Sequence, residues 1–186
     1  MGIPTEANES ELVRAAAAGD RSSFDALAGH HAPRLLAIAF RMLGDRSDAE
    51  DAVQNAFASA WLALPRFDLN RPFSPWLTTI TINKCRDAAR SGRFKRFFRS
   101  TTEFDAMVLA DDQPDQQRQV AGAQLLAQVK QEISRLPSRL KEPFVLVVLE
   151  GQSQAEAAQS LGISEKAVET RIYRARKKLK DKVATE

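Results

Sequence analysis

SQAEAAQSLGISEKAVETRIYRARKKLK, residues 153–180, has the grammar of a helix, a tight turn and a second helix. Ser153 can cap the first helix, because its hydroxyl can accept from an exposed backbone N–H. Ala155, Ala158 and Leu161 give that helix a small, close-packing face. Gly162, between Leu161 and Ile163, can take the positive φ that ends a helix at little steric cost. Ser164 caps the second helix, and Val168, Ile172 and Leu179 recur along it at inward-facing helical spacing. The outward face carries Lys166, Arg171, Arg174, Arg176, Lys177, Lys178 and Lys180, against Glu165 and Glu169. A short helix, a glycine turn and a cationic second helix are what a helix-turn-helix needs to enter a major groove. An ordinary helical hairpin with a solvated basic face shares this outline. Ala158 four residues before the glycine, the inward pattern and the cationic face together favour DNA binding.

The rest of the chain is built to match. Its 186 residues suffice for one domain or two small ones, and 44% are hydrophobic. Gly, Pro and Tyr are scarce while Ala, Leu, Gln and Arg abound, which favours an all-α protein. The net charge is only +3, but the charges are segregated. The single Cys85 excludes an internal disulfide framework and suits a reducing cytoplasm. With His30 and His31 as the only histidines, the usual closed set of structural zinc ligands cannot be assembled. No cofactor or metal is expected. The start, MGIPTEANESE, is polar and acidic rather than signal-like, and no apolar run reaches bilayer length, so no membrane insertion is expected.

Upstream, residues 1–8 read as disordered, and a first amphipathic helix runs from Glu9 to Ala18. Ser22 to Met42 is helical with an interruption expected at Pro33. Ser47 and Glu50 fit a capping box that starts a helix running to Leu64. Ala49, Val53, Phe57, Ala60, Trp61 and Leu64 form its buried seam. Asp48, Asp51 and Asn55, with Gln54 beside them, make an exposed acidic and amide-rich stripe. The three prolines of PRFDLNRPFSP (65–75) make a stiff loop, and Pro75 suits the first position of the next helix. That helix, from Trp76 to about Arg90, buries Trp76, Leu77 and Ile80, and turns basic at its far end. There Lys84, Arg86, Arg90, Arg93, Lys95, Arg96 and Arg99 accompany one acid, Asp87, with Phe94, Phe97 and Phe98 between them. So many cations exceed what the helix dipole asks for, and a phosphate-binding face is favoured over a solvated helix end. Residues 99–118 are acidic and glutamine-rich, and read as a flexible linker. Val120 to Leu136 is amphipathic, and Leu140 to Leu149 strongly apolar, with Pro143 tolerated near a helix start. The expected architecture is therefore two small helical domains, 9–98 and 119–186, joined by a flexible acidic linker, the second containing the helix-turn-helix.

No P-loop, dinucleotide turn, nucleophile–His–carboxylate grouping or metal set emerges, so no enzyme is read. Asp48, Glu50 and Asp51 could pass for paired carboxylates, but a helix start favours acids electrostatically.

The chain resembles a bacterial RNA polymerase sigma factor of the extracytoplasmic-function class. DAEDAVQNAFASAWLAL (48–64) looks like the region-two helix that docks on the polymerase, and RPFSPWLTTITINKCRDAAR (71–90) like the neighbouring segment that reads and melts the minus-ten element. LPSRLKEPFVLVVLEGQSQAEAAQSLGISEKAVETRIYRARKKL (136–179) looks like region four. The resemblance implies a domain at 9–98 that binds core RNA polymerase and the minus-ten element, and a domain at 119–186 that binds the minus-thirty-five element. It implies polymerase contacts through Asp48, Asp51, Gln54 and Asn55. It implies minus-ten contacts through Asn83, Lys84, Asp87, Arg90 and Arg93, with the Pro65–Pro75 loop shaping a pocket for a flipped base. On the second helix it places Glu169, Thr170, Tyr173 and Arg174 toward bases and Arg171, Lys177 and Lys178 toward phosphates, with Lys166 on the same DNA-binding face. Glu169 stands where many relatives carry a basic residue. It can accept from cytosine N4, or it is only a surface acid. The implied partners are core RNA polymerase, promoter DNA and an anti-sigma factor, in the cytoplasm. Residues alone also leave open a conventional dimeric regulator whose first domain binds a ligand, an enzyme with a DNA-binding tail, and a protein-interaction module.

Overall fold

The computed structural model describes residues 6–98 and 128–183, and among these every regular element is helical. In chain order these are α1 (Glu6–Ala17), α2 (Arg21–Leu43), α3 (Arg46–Ala63), a 3-10 turn (Leu64–Arg66) and α4 (Phe73–Phe98). After them come α5 (128–135), α6 (Ser138–Phe144), a π turn (Val145–Leu149), α7 (Gln154–Leu161) and α8 (Glu165–Val183). Residues 6–8 of the expected disordered start are instead the first turn of α1, while the rest of that start and the whole of the expected linker lie outside the described residues. No helix among these residues is long and apolar enough to cross a membrane.

The N-terminal unit closes α1–α4 around Leu27, Leu35, Ile38, Val53, Ala60, Leu77 and Ile82, all essentially inaccessible. Phe24 packs on Trp61 with ring centroids 5.1 Å apart, which seals the outer end of the α2–α3 contact. Pro33 does not interrupt α2. Proline removes the N–H that would reach the Gly29 carbonyl, but Gly29 and Pro33 are both exposed, so water can satisfy that carbonyl. On the opposite side Leu27, His31, Leu35 and Ile38 are buried and hold the helix straight through. The cap of α3 is Asp45 rather than Ser47: its Oδ1 accepts from the Asp48 N–H at 2.8 Å. Gly44, at φ 77°, turns the chain so that Asp45 enters extended, in the geometry an N-cap needs. Glu50 instead takes Arg46 Nε at 2.8 Å, one turn away. α4 begins at Phe73, two residues before Pro75, which therefore lies within its first turn. Trp76 is half-buried, against Phe67 at 4.6 Å and Phe73 at 5.5 Å.

In the C-terminal unit, Pro143 falls inside α6, and the helix widens to a π turn immediately after it. The Glu150 N–H reaches back to the Val145 carbonyl at 3.0 Å, and Gln152 N–H to Leu146 at 3.0 Å. Widening keeps Val145 and Leu146 fully buried after the proline has removed a hydrogen bond. α7 opens with a full capping box: Ser153 Oγ accepts from the Glu156 N–H at 3.2 Å, and Glu156 Oε2 accepts from the Ser153 N–H at 2.8 Å. The bonds its carboxylate accepts from the Ser153 N–H and hydroxyl, with the Arg34 charge behind them, hold the Glu156 carboxyl below its ordinary range. Ser153→Ala should lower stability by about 1 kcal/mol, read as a shift of the urea midpoint at constant slope. The buried alanines of α7 are Ala157 and Ala158, while Ala155 is exposed. α7 packs against both α8 and α4, so the face it buries is set by two neighbours and not by the Ala155–Ala158–Leu161 spacing alone. Gly162, at φ 65°, donates to Ala158 and Gln159, and Ile163 N–H also returns to Ala158, which closes the turn. Ser164 caps α8, and Val168, Ile172 and Ala175 are its buried line.

The two units are not separate in this structure. α7 lies on α4, and α6 with the π turn lies on α2.

Candidate nucleic-acid interface

Asp48, Asp51, Gln54 and Asn55 are all exposed, on the side of α3 opposite Ala49, Val53, Ala56 and Ala60. Positions 48, 51 and 55 are one turn apart in succession, so helical geometry alone brings them onto one stripe. The stripe starts at the α3 N-terminus, where negative charge is favoured by the helix dipole.

On α4, Asn83, Asp87 and Arg90 are exposed along one line and Lys84 is half-buried beside it. The Asp87 carboxylate takes Arg90 Nη2 at 2.6 Å, so the only acid of the basic end is already paired within its helix. Asn83 Oδ1 accepts from Arg86 Nη1 at 2.9 Å. Arg93 lies on α4, and its side chain is outside the described part. Immediately inside this line is Cys85, whose thiol burial pushes up to about 12, with the Glu142 charge adding to the effect. Such a thiol is inert at neutral pH.

On α8, Lys166, Glu169, Tyr173, Arg174, Lys177 and Lys178 are exposed, and Thr170 and Arg171 are half-buried. Tyr173 is 69% exposed, unusual for an aromatic on a helix whose other face is fully packed. Glu169 Oε2 takes Lys166 Nζ at 2.7 Å, and Thr170 Oγ1 donates to the Lys166 carbonyl at 2.8 Å. Glu169 is therefore paired within its own helix, with Lys166. The pairing places a cation beside the one acid of the central face, which reduces its repulsion toward phosphate.

What sequence reasoning missed is the role of Arg86. Its guanidinium forks onto Glu142 of α6, with Nε–Oε1 and Nη2–Oε2 both at 2.7 Å, and Glu142 is 3% exposed. The carboxylate raises the Arg86 pKa by stabilising its charge. No local pattern reports this pair, because its members are 56 positions apart. Among the described residues, no cluster of His, Cys, Asp and Glu is placed to hold a metal ion.

Comparison with known proteins gives a consistent result for both units. The Sigma-70 region 2 family model matches residues 27–95 and the Sigma-70 region 4 model residues 126–179. The chain is 40% identical over 169 residues to the RNA polymerase sigma factor NccH of Alcaligenes xylosoxydans xylosoxydans, covering 90% of each. It is 33% identical over 174 residues to the ECF RNA polymerase sigma factor SigM of Mycobacterium tuberculosis, covering 94% of this chain and 84% of SigM. To the sigma factor CnrH of Cupriavidus metallidurans it is 40% identical over 173 residues, covering 90% of each. The solved structure of CnrH in complex with the cytosolic domain of CnrY superposes with a TM-score of 0.70 at 36% identity, over 96% of this chain and 98% of that one.

Proposed function

This chain belongs to the sigma-70 family, in its extracytoplasmic-function class, and from that premise we propose how its exposed faces divide the work of a sigma factor. It binds core RNA polymerase and directs promoter recognition and the initiation of transcription. The N-terminal domain, 9–98, docks on the polymerase through the α3 stripe of Asp48, Asp51, Gln54 and Asn55. An acidic and amide-rich face suits a basic coiled coil on the enzyme. The same domain engages the minus-ten element along α4. Asn83 and Asp87 supply polar edges that can read exposed bases, while Lys84, Arg90 and Arg93 supply charge for phosphates. The C-terminal domain, 119–186, lays α8 in the major groove of the minus-thirty-five element. Glu169, Thr170, Tyr173 and Arg174 face the bases there, and Lys166, Arg171, Lys177 and Lys178 supply the surrounding polar and cationic contacts.

One observation supports this reading above the rest: a single chain carries an acidic docking face and two separate cationic helices, where a conventional regulator needs one DNA surface and a dimer contact. The chain works in the cytoplasm, where its polymerase and promoter are. Its regulator is an anti-sigma factor, in a stress or envelope response, consistent with the record of CnrH bound to the cytosolic domain of CnrY. Reconstitution with core polymerase tests the whole proposal. New start sites should appear on genomic DNA only when both are present, and their absence, or tight specific duplex binding by the free chain alone, would point to the conventional regulator.

Glu169 gives a finer test. Held by Lys166 and able only to accept, it suits cytosine N4. Glu169→Gln should relax preference at one base pair of the upstream element by about 1–3 kcal/mol. Lys177→Ala should weaken all sequences alike and flatten the salt dependence. Transcription from a library randomised across that element separates the two. A preference profile untouched by Glu169→Gln means the residue is only a surface acid.

A further inference from the structure

The Sigma-70 region 2 match begins at residue 27, inside α2, so α1 (Glu6–Ala17) lies outside it. Val13 and Ala16 bury the inner face of α1 in the N-terminal core, with Leu12 and Ala17 partly buried beside them. Apolar packing accounts for those four, but not for Glu9. Its Oε1 lies 3.2 Å from His31 Nε2, and the His31 side chain is only 7% exposed. The bond requires the proton on Nε2, so His31 donates and the carboxylate accepts. That bond is the main cause that holds the Glu9 carboxyl below its ordinary range, and the Arg34 charge acts in the same direction.

From His31 the contacts run to the loop at residues 67–72. The His31 ring sits 5.5 Å from Phe73, the first residue of α4. Phe73 is 5.9 Å from Phe67 and 5.5 Å from Trp76, and Phe67 is 4.6 Å from Trp76. Phe67 opens the loop and Phe73 follows it, so one cluster of rings clasps its two ends. α1 also touches the 3-10 turn Leu64–Arg66, which leads into the loop. Residues 68–72, between the clasped ends, are exposed. Local bonds shape this tip: Asp68 Oδ1 accepts from the Asn70 N–H at 3.0 Å, and the Asp68 carbonyl from the Arg71 N–H at 2.9 Å. Such bonds fold the tip on itself, whereas its direction relative to α4 is set where its ends are held. Close-packed rings transmit a displacement rather than absorb it, so a shift of His31 moves Phe73 and Phe67 with it. α1 therefore bears on the loop from both ends.

We propose that α1 is a brace for the 67–72 loop, with Glu9 and His31 as positioning residues that aim the loop beside the start of α4. This rests on the reading of α4 and the loop before it as the minus-ten surface. A braced loop meets the opened strand already ordered, while an unbraced one must lose its conformational freedom during opening. Removing the brace should therefore slow opening of the minus-ten element and leave polymerase docking, assigned to the exposed stripe of α3, as it was.

Two readouts on the full chain test the brace. With Trp61→Phe as background, Trp76 is the one tryptophan left, and acrylamide quenching of its fluorescence reports how well Phe67 and Phe73 cover it. Glu9→Ala in that background should raise the quenching, with helical circular dichroism retained. On a start site found by the reconstitution with core polymerase, Glu9→Ala should slow minus-ten opening about fivefold, the effect of one lost charge-assisted bond on the fraction of loops correctly aimed. Permanganate reactivity of unpaired thymines follows the opening, and affinity for core polymerase should stay at the wild-type value. Glu9→Gln keeps an acceptor for His31 Nε2 and should restore both quenching and opening. Wild-type quenching or wild-type opening in folded Glu9→Ala overturns the brace. So does an equal loss in Glu9→Gln, or a fall in polymerase affinity that matches the loss of opening. If the wild-type chain opens no promoter with core polymerase, the sigma-factor reading fails instead, whatever the quenching shows.

Discussion

Asp51→Arg should leave the chain folded and weaken its binding to core RNA polymerase by at least about 100-fold, roughly 3 kcal/mol. The fold is spared because Asp51 is exposed, with Ala52 and Val53 beside it carrying the buried side of α3. The capping bond to α3 comes from Asp45, so it survives the change. The proposed docking face would change sign at its centre, since Asp48 and Asn55 lie one turn to either side. Replacing an attraction by a repulsion costs more than losing the attraction, so Asp51→Ala should fall between wild type and Asp51→Arg. Competition binding with core polymerase, alongside far-ultraviolet circular dichroism, measures both effects. Wild-type affinity in a normally folded Asp51→Arg protein would take α3 out of the interface.

The second large effect is on stability. Leu146→Ala should lower the unfolding free energy by about 2–5 kcal/mol, equivalent to a melting temperature lower by roughly 5–15 °C for a chain of this size. Leu146 is fully inaccessible and lies in the π turn, packed in the hydrophobic cluster that α7 and α8 also line. Its carbonyl accepts from Gln152, so the backbone around it is fixed and can collapse little into the cavity. Chemical denaturation followed by circular dichroism gives the number. A loss under about 1 kcal/mol would mean that the turn repacks.

Much of the architecture was legible because it is written in local patterns. The helix-turn-helix announces itself through Ser153, Gly162, Ser164 and the spacing of Val168 and Ile172, each of which acts within one or two turns. The α3 stripe was legible for the same reason: Asp48, Asp51 and Asn55 share a face by geometry alone. Pro33 misled because proline's local cost, about 3 kcal/mol, is visible in sequence, while the buried contacts of Leu27, Leu35 and Ile38 that outweigh it are not. Ser47 misled because Asp45 and Ser47 both satisfy cap chemistry, and only the turn at Gly44 decides between them. The contact between the two units could not be read at all. Arg41 and Glu150, or Arg86 and Glu142, look like ordinary surface charges on amphipathic helices until the two units are docked.

The burial of Cys85 has a practical consequence. It is the chain's one thiol, and burial together with a pKa near 12 leaves almost no thiolate to react at neutral pH. Maleimide chemistry can therefore be directed to cysteines introduced at exposed positions, one on each of the two units, without first removing the native residue. A donor and acceptor attached that way would report the distance between the two units in real time, molecule by molecule.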